Sequence, residues 1–355
     1  MQAIEKRASL FNSMAQSVMN SHDANFWLQK INPLWSMNQP LAKVVKKQTV
    51  AKDTVSLILQ CNRHVQRGAA GQHHPVTVEI AGRHYERTYS LMQLDADHLC
   101  LTVKKVDQGL VSSWLVEQSQ VGDIVYLGQP YGDMQQHIQT PNLLLLAAGS
   151  GITPMLSLIE SLSQTKQFST TSVQLMYWVK TQADAAYAEY LKETAENFSQ
   201  FSYQIFYTQE QDQRLNQSYV DQISALNETT VYACGPSGFV STAEKLFSCA
   251  ALLQTEAFSL SQFDVDASET GFINVRLTQS NKTIAIPKGQ SILSSLEQQG
   301  IKPKHGCRMG ICNKCACSKV QGSTKNLLNG SANHEPSQLL KICVNSAQSD
   351  LVIDL

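Results

Sequence analysis

The sequence predicts a multidomain chain in which a small antiparallel β-barrel leads into a doubly wound parallel α/β domain and then into a short cysteine-bearing module. Three observations predict it. Between Leu41 and Gly128 short β-patterned segments follow one another with turns between them. After Pro141 strands alternate with helices. Near the C-terminus Cys307, Cys312 and Cys315 crowd into one loop, with Cys343 further on. A length of 355 residues suits two or three such domains with ample cores. The boundaries read as an N-terminal segment over 1–40, the barrel over 41–139, the α/β domain over 140–262, a linker over 263–270 and the cysteine module over 271–355.

In the N-terminal segment Phe26, Trp27, Ile31, Leu34 and Trp35 recur near helical spacing. Such a stripe is expected to pack on the neighbouring domain, the lesser alternative being a partner or a membrane surface. The barrel strands are expected over Ala42–Thr49, Thr54–Cys61, Val76–Ile80, His84–Ser90, Leu99–Val103 and Ile124–Leu127. Val76, Val78 and Ile80 alternate with polar residues, and glycines at Gly68 to Gly71 and at Gly82 mark turns. A helix-like insertion, Leu110–Gln118, interrupts the strands.

In the α/β domain strands are expected over Asn142–Ala147, Ser172–Val179, Phe201–Tyr207 and Thr230–Cys234. Helices are expected over Thr153–Ser163, Ala183–Phe198, Tyr219–Leu226 and Ser237–Ala251. This alternation implies a parallel sheet with ligands at the carboxyl ends of its strands. The polar stretch Ser259–Glu269 reads as a tether to the module that opens at Gly271.

Several motifs carry chemistry. Arg87-Thr88-Tyr89-Ser90 ends a barrel strand, and Gly109-Leu110-Val111-Ser112 opens the inserted helix. A guanidinium can neutralise a diphosphate bidentately, an adjacent Tyr can stack on a flat ring, and a Gly-x-x-Ser turn offers amides and a hydroxyl to phosphate. After the apolar strand at Leu143–Leu146 comes Gly149-Ser150-Gly151-Ile152-Thr153-Pro154. Its glycines permit a tight turn and close approach of a pyrophosphate, and Pro154 suits the first turn of a helix. It differs from the G-x-G-x-x-G fingerprint in carrying Pro for the third glycine. At the end of the last of the four strands named for this sheet, Cys234-Gly235-Pro236 places a thiol and a sharp turn at the carboxyl edge.

The cysteine spacing C-x4-C-x2-C…C, made by Cys307, Cys312, Cys315 and Cys343, is that of a [2Fe–2S] site held by four thiolates. A structural zinc site would show two C-x2-C pairs, and Cys343 has no close cysteine partner in sequence. Gly306 and Gly310 supply the freedom the loop needs, and Asn313 tolerates left-handed geometry. Cys317 reads as a small apolar strand residue and not as a ligand.

On these motifs residues 42–258 resemble the ferredoxin–NADP reductase family, and residues 271–355 resemble a fused plant-type ferredoxin. The resemblance implies an antiparallel β-barrel FAD domain, an α/β doubly wound NAD(P) domain and a β-grasp ferredoxin domain. It implies that Arg87 contacts the FAD diphosphate, that Thr88 beside it belongs to the same cofactor site, that Tyr89 and Ser90 line the isoalloxazine, and that Val103 and Lys104 continue that pocket. Gly109 and Ser112 would hold the remaining phosphate, with Ser90 near flavin N5. Gly149, Gly151, Thr153, Pro154, Cys234, Gly235 and Pro236 would hold the nicotinamide nucleotide, with Cys234 aiding alignment. Glu256-Ala257-Phe258 resembles the acidic–aromatic ending of the reductase sheet, close to the flavin. In plant-type reductases a C-terminal aromatic covers the flavin, whereas this chain continues into the ferredoxin.

A carboxylate after the second α/β strand suits an NAD ribose, and a cation suits the phosphate of NADP. Here Val179-Lys180-Thr181 carries no acid before Asp184, and Arg214 follows the third strand, which favours NADPH over NADH. The three cofactors have a reason to share one chain. A nicotinamide yields two electrons together, a cluster accepts one, and a flavin between them converts the one into the other.

The acceptor is not written in any residue. Module order and the segment Phe26-Trp27…Pro33-Leu34-Trp35 resemble bacterial reductases that serve membrane acyl-CoA desaturases; reductases of ring-hydroxylating dioxygenases and hydrocarbon hydroxylases use the same parts. The electron-transfer subunit of a dihydroorotate dehydrogenase has a shorter last cysteine gap. A redox sensor without turnover would not need intact nucleotide motifs. Net charge of −1 with 16% charged residues and no basic run argues against nucleic acid. Four cysteines committed to a cluster imply the cytoplasm. The most apolar run, Leu143–Ala148, is far short of the ~20 residues of a membrane span, and Met1–Leu10 lacks a secretory apolar core.

Overall fold

The computed structural model describes residues 21–107, 109–132, 134, 140–259, 271–306, 308, 310, 313–328 and 330–355. The chain divides into two compact units: Met1–Ala69 with His73–Pro130, and Ala70–Gln72 with Tyr131–Leu355. Among the described residues no helix is long and apolar enough to cross a membrane.

The first unit opens with helix α1 (Ser21–Ile31), whose amphipathicity is inverted. Its buried side is polar: Asn25 accepts from Met37 N at 2.8 Å and from Ser36 Oγ at 3.2 Å, and donates to Asn38 at 3.1 Å. Gln29 donates to Gln39 at 2.8 Å. The apolar stripe faces outward instead, with Phe26 51%, Trp27 64%, Ile31 73% and Trp35 50% exposed. The expectation that this stripe packs on a neighbouring domain is therefore corrected. Hydrogen bonds from Asn25 and Gln29 anchor the helix, so its aromatic side is left to solvent.

The barrel follows. Strands β1 (Leu41–Ala51), β2 (Thr54–Cys61), β3 (His73–Ile80), β4 (Arg83–Gln93), β5 (His98–Lys104) and β6 (Ile124–Leu127) close in the order β1-β2-β5-β4-β3-β6. Alternate residues such as Leu57, Leu59, Val76, Val78, Leu101 and Val125 fill the interior with almost no exposed surface. Each such side chain contributes about 1.5–3 kcal/mol on burial. β3 begins three residues earlier than its hydrophobic alternation announces, because His73, His74 and Pro75 are carried into the ladder opposite β4. The inserted helix is one α-helical turn, α2 (Leu110–Ser113), running into a π-helical turn at Trp114–Gln118.

In the second unit, β7 (Asn142–Ala148), β8 (Ser172–Val179), β9 (Phe201–Tyr207), β10 (Thr229–Pro236) and β11 (Leu252–Ser259) form a parallel sheet in the order β11-β10-β7-β8-β9. The order reverses at β7, which makes the domain doubly wound and sets the ligand crevice at the carboxyl ends there. Helix α3 (Ile152–Gln164) buries Ile152, Met155, Leu156, Ile159 and Leu162. Three helices are shorter than the sequence pattern announces: α4 is Ala188–Asn197, α5 is Gln217–Val220 and α6 is Ser237–Leu246. Tyr187, with φ of 64°, fixes a left-handed entry to α4. The residues after α6 turn back to form β11, parallel to β10.

The C-terminal part pairs β12 (Phe272–Leu277), β13 (Lys282–Pro287), β14 (Ala316–Gln321), β17 (Gln338–Lys341) and β19 (Leu351–Asp354) in the order β13-β12-β19-β14-β17. A smaller sheet, β16-β15-β18, comprises β15 (Thr324–Asn326), β16 (Ala332–Asn333) and β18 (Asn345–Ala347). Helix α7 (Ile292–Gln298) is capped by Ser291, whose hydroxyl accepts from Ser294 N at 3.2 Å. It packs Leu293 and Leu296 against Val275, Ile342 and Ile353, with the parallel β12–β19 pair at the sheet centre.

Candidate cofactor and cluster sites

The R-x-Y-S strand is fixed in register by the Ala81-Gly82 hairpin. Ile80 pairs with Arg83, so Arg87 lies opposite Val76, Thr88 opposite Pro75, Tyr89 opposite His74 and Ser90 opposite His73. Arg87 is half-buried, with Nη1 donating to Glu86 O at 2.7 Å. Tyr89 packs on the barrel core, and burial pushes its phenol above the ordinary range against the opposing pull of Arg87. Ser90 is buried and its Oγ lies 2.8 Å from His73 Nδ1. A guanidinium, a desolvated phenol and an oriented hydroxyl within four residues of one strand fit a flavin dinucleotide.

Val103 is packed into the barrel core and Lys104 is half-buried at the end of β5. Gly109 precedes α2, and a Cβ there would sit 2.5 Å from Ser112 Oγ. The Ser112 hydroxyl already serves the turn, donating to Gly109 O and accepting from Val106 N, each at 3.1 Å.

In the second unit the two glycine motifs, distant in sequence, share one edge of the sheet. Cys234 of β10 pairs with Ala147 of β7. A Cβ on Gly151 would lie 2.0 Å from Cys234 O, and one on Gly235 would lie 2.8 Å from Ala148 Cβ. Only glycine lets these turns close on each other. Gly149 takes a φ of +56° with nothing near its Cβ position. Thr153 Oγ1 donates to Ser150 O at 3.1 Å and Pro154 is buried in the first turn of α3, so the turn is rigidly tied to its helix. This cradle at a helix start fits a dinucleotide pyrophosphate.

Cys234 is fully buried beside its register partner Glu256, and burial first, then that carboxylate, holds the thiol well above its usual range. Cys234 is therefore a neutral packing group. Pro236 starts the turn into α6, and Phe258 is half-buried near the end of β11. Lys180 is exposed just past β8, and Arg214 is exposed after β9 with Nε 3.7 Å from Asp212. The loops carrying them are joined, since Glu210 accepts from Gln182 N at 3.0 Å. Glu210 belongs to no motif in the sequence; only the pairing of β8 with β9 brings it to the loop of Lys180.

Of the four cysteines, Cys307 and Cys312 lie outside the described residues. Cys315 and Cys343 are both buried, and their sulfurs lie 3.0 Å apart. Asn313 and Arg308 take left-handed φ of 57° and 61°, and Gly310 takes 76°, the backbone geometry that a tight cluster loop calls for at those positions. Two buried sulfurs converging beside such a loop fit a [2Fe–2S] cluster. Cys317, on β14, packs partly buried against the core of this domain, and burial pushes its thiol up to about 12. His73, His74 and Lys341 were missed; the first two are legible only by counting register back from the Ala81-Gly82 turn.

Three family models match consecutive stretches: an oxidoreductase FAD-binding domain over residues 41–136, an oxidoreductase NAD-binding domain over 145–245 and a 2Fe-2S iron-sulfur cluster binding domain over 275–345. An NADPH oxidoreductase of Mycobacterium tuberculosis (strain ATCC 25618 / H37Rv) is 29% identical over 340 residues, covering 93% of this chain and 88% of the relative. Phthalate dioxygenase reductase of Burkholderia cepacia is 24% identical, covering 88% and 96%. A solved structure of phthalate dioxygenase reductase shares the fold with a TM-score of 0.65 over 89% of this chain and 97% of that one, at 24% identity. With its FAD-binding barrel, NAD-binding sheet and ferredoxin domain in that order, the chain has the domain set of ferredoxin-reductase-type proteins and is an NAD(P)H-dependent flavin and iron–sulfur oxidoreductase.

Proposed function

We propose that the chain carries electrons from NADPH through FAD and the [2Fe–2S] cluster to a membrane di-iron acyl-CoA or fatty-acid desaturase. The observation that carries the electron path is the closure of Gly151 onto the Cys234 carbonyl, which builds a nucleotide cradle in the same chain as the paired Cys315 and Cys343 sulfurs. A bound flavin supplies the conversion of a two-electron donor into single electrons. The protein's own work is positional. Arg87 offers a bidentate cation to diphosphate, Tyr89 offers a ring face, and Ser90 holds a hydroxyl fixed by His73. The turn at Gly149–Pro154 presents backbone to the pyrophosphate, and Cys234 packs the nicotinamide end. No proton-transfer dyad is needed in the nucleotide cradle, in keeping with a neutral Cys234. Lys180 and Arg214 support NADPH, since both offer cations past the strands where a ribose phosphate lies.

The desaturase acceptor is supported by the outward aromatic side of α1 and Trp35, which belongs to the segment that resembles reductases of that class. A second reading, service to a ring-hydroxylating oxygenase, is supported by the match along nearly the whole length of phthalate dioxygenase reductase. Reconstitution separates them. The reduced protein is mixed anaerobically with a membrane desaturase preparation or with a soluble oxygenase, and reoxidation of the cluster is followed. Fast reoxidation by the desaturase alone supports the first reading, and by the oxygenase alone the second.

A further inference from the structure

We propose that Lys341 is a positioning residue for the iron–sulfur cluster: its ammonium, fixed on the Gly310 carbonyl, clamps the cluster loop against the strand that delivers Cys343 and raises the cluster's reduction potential. The proposal rests on the cluster reading given above. Lys341 ends β17, two residues before Cys343, and its Nζ donates to Gly310 O at 2.6 Å. Its backbone pairs with Ala316, the residue after Cys315. Its carbonyl accepts from Val344 N at 3.2 Å and from Asn345 Nδ2 at 3.0 Å. One residue thus joins the strand leaving the third cysteine, the loop between the first two, and the turn carrying the fourth.

The loop has little freedom to answer if this tie is cut. Gly310 lies so close to Val344 that a Cβ would meet Val344 Cγ2 at 2.9 Å, and its φ of +76° suits glycine. On the other side Arg308 donates to Glu297 of α7 at 2.6 Å, with His305 3.0 Å from the same guanidinium nitrogen. The loop is therefore pinned at two points, to α7 through Arg308 and to β17 through Lys341. Lys341 is the pin that also brings a cation onto a loop carbonyl, and among the described residues no carboxylate forms an ion pair with it. Cluster potentials respond to net charge and hydrogen bonding nearby, and a reduced cluster carries one more negative charge than an oxidised one. A cation held there favours the reduced form.

The test uses the full-length protein with flavin and cluster loaded, comparing wild type, Lys341→Met, Lys341→Arg and Lys282→Met. Lys282 stands exposed on β13, at the opposite edge of the same sheet, and controls for net charge. Two readouts are taken: the rate of cluster loss to a chelator from its visible absorbance, and the midpoint potential from an anaerobic titration followed by EPR. FAD content reports that the remainder of the chain is folded. Lys341→Met is expected to lose its cluster about tenfold faster, the value of one charge-assisted hydrogen bond, and to titrate at a lower potential. Lys341→Arg is expected to recover most of both, and Lys282→Met to match wild type. Equal loss rates and potentials in Lys341→Met and wild type would overturn the proposal, as would an equal shift in Lys282→Met. If Lys341→Met takes up no cluster, Lys341→Arg decides: retention supports the clamp, and failure like that of Met overturns it. Wild type without a [2Fe–2S] signal would instead overturn the cluster reading itself.

Discussion

His73 and Ser90 face each other across the β3–β4 ladder, imidazole Nδ1 2.8 Å from hydroxyl, with only 2% and 4% of their surfaces exposed. A hydroxyl so held has one direction already assigned, which leaves its remaining hydrogen-bonding capacity aimed at one place. Replacing Ser90 by Ala is expected to slow flavin reduction by NADPH about tenfold, the cost of one lost hydrogen bond. Replacing His73 by Phe is expected to cost a smaller share of the same rate while FAD stays bound. Stopped-flow absorbance of the flavin checks both; a His73→Phe rate equal to wild type would separate the imidazole from Ser90's role.

Gly151 offers a sharper steric test. A methyl group there would sit 2.0 Å from the Cys234 carbonyl oxygen, so Gly151→Ala must push β7 and β10 apart at their carboxyl ends. Overpacking of this kind costs about 1–3 kcal/mol. The expected result is a lower thermal midpoint and at least tenfold weaker NADPH binding, with FAD content unchanged, measured by calorimetry and equilibrium titration.

His74 is buried with burial holding its imidazole down to about 4. The group is neutral in the fold and protonates below ~6.5 in the unfolded chain, so its contribution is complete above that value and is lost as pH falls toward 4. The loss amounts to about 3 kcal/mol at most. Denaturant melts of wild type and His74→Phe between pH 7 and pH 4 check it: the wild-type stability curve should fall more steeply.

For the nucleotide, Lys180→Ala and Arg214→Ala are expected to raise KM for NADPH about tenfold each and to leave KM for NADH within twofold, a cation–phosphate contact being worth about 1.5–3 kcal/mol. Steady-state reduction of an artificial acceptor with both nucleotides measures the split. Equal effects on both would move the specificity elsewhere, with Glu210 the first residue to examine, since it reaches the same pair of loops.

Among the cysteines, Cys315→Ser is expected to abolish the EPR signal, whereas Cys317→Ala should leave cluster content and potential unchanged. Cys317 lies on β14 two residues after Cys315, yet it is Cys315, in the turn before that strand, whose sulfur lies 3.0 Å from Cys343.

Much of this was legible in the sequence because it was periodic or punctuated. The alternation of Val76, Val78 and Ile80, the apolar run before Gly149 and the cysteine spacing each announce one element and one chemistry, and the barrel, the parallel sheet and the C-terminal domain stand where those signals lie. What stayed hidden depends on pairing. His73 meets Ser90 only through register set by a two-residue turn, Glu210 reaches Gln182 only because β9 lies beside β8, and Lys341 finds Gly310 across the fold. The stripe of Phe26, Trp27 and Ile31 misleads for a different reason. Periodicity reports that a helix has two sides, and the hydrogen bonds of Asn25 and Gln29 decide which side is inward.

The central claim is that electrons pass from NADPH through the flavin to the cluster within one chain. Its most direct test is an anaerobic titration of the cluster-loaded protein with NADPH, following flavin absorbance and the low-temperature EPR signal of a reduced [2Fe–2S] centre together. The account predicts that the flavin bleaches and the EPR signal rises in the same titration. A flavin that bleaches while the cluster stays oxidised, or a flavin that neither NADPH nor NADH reduces, would contradict it.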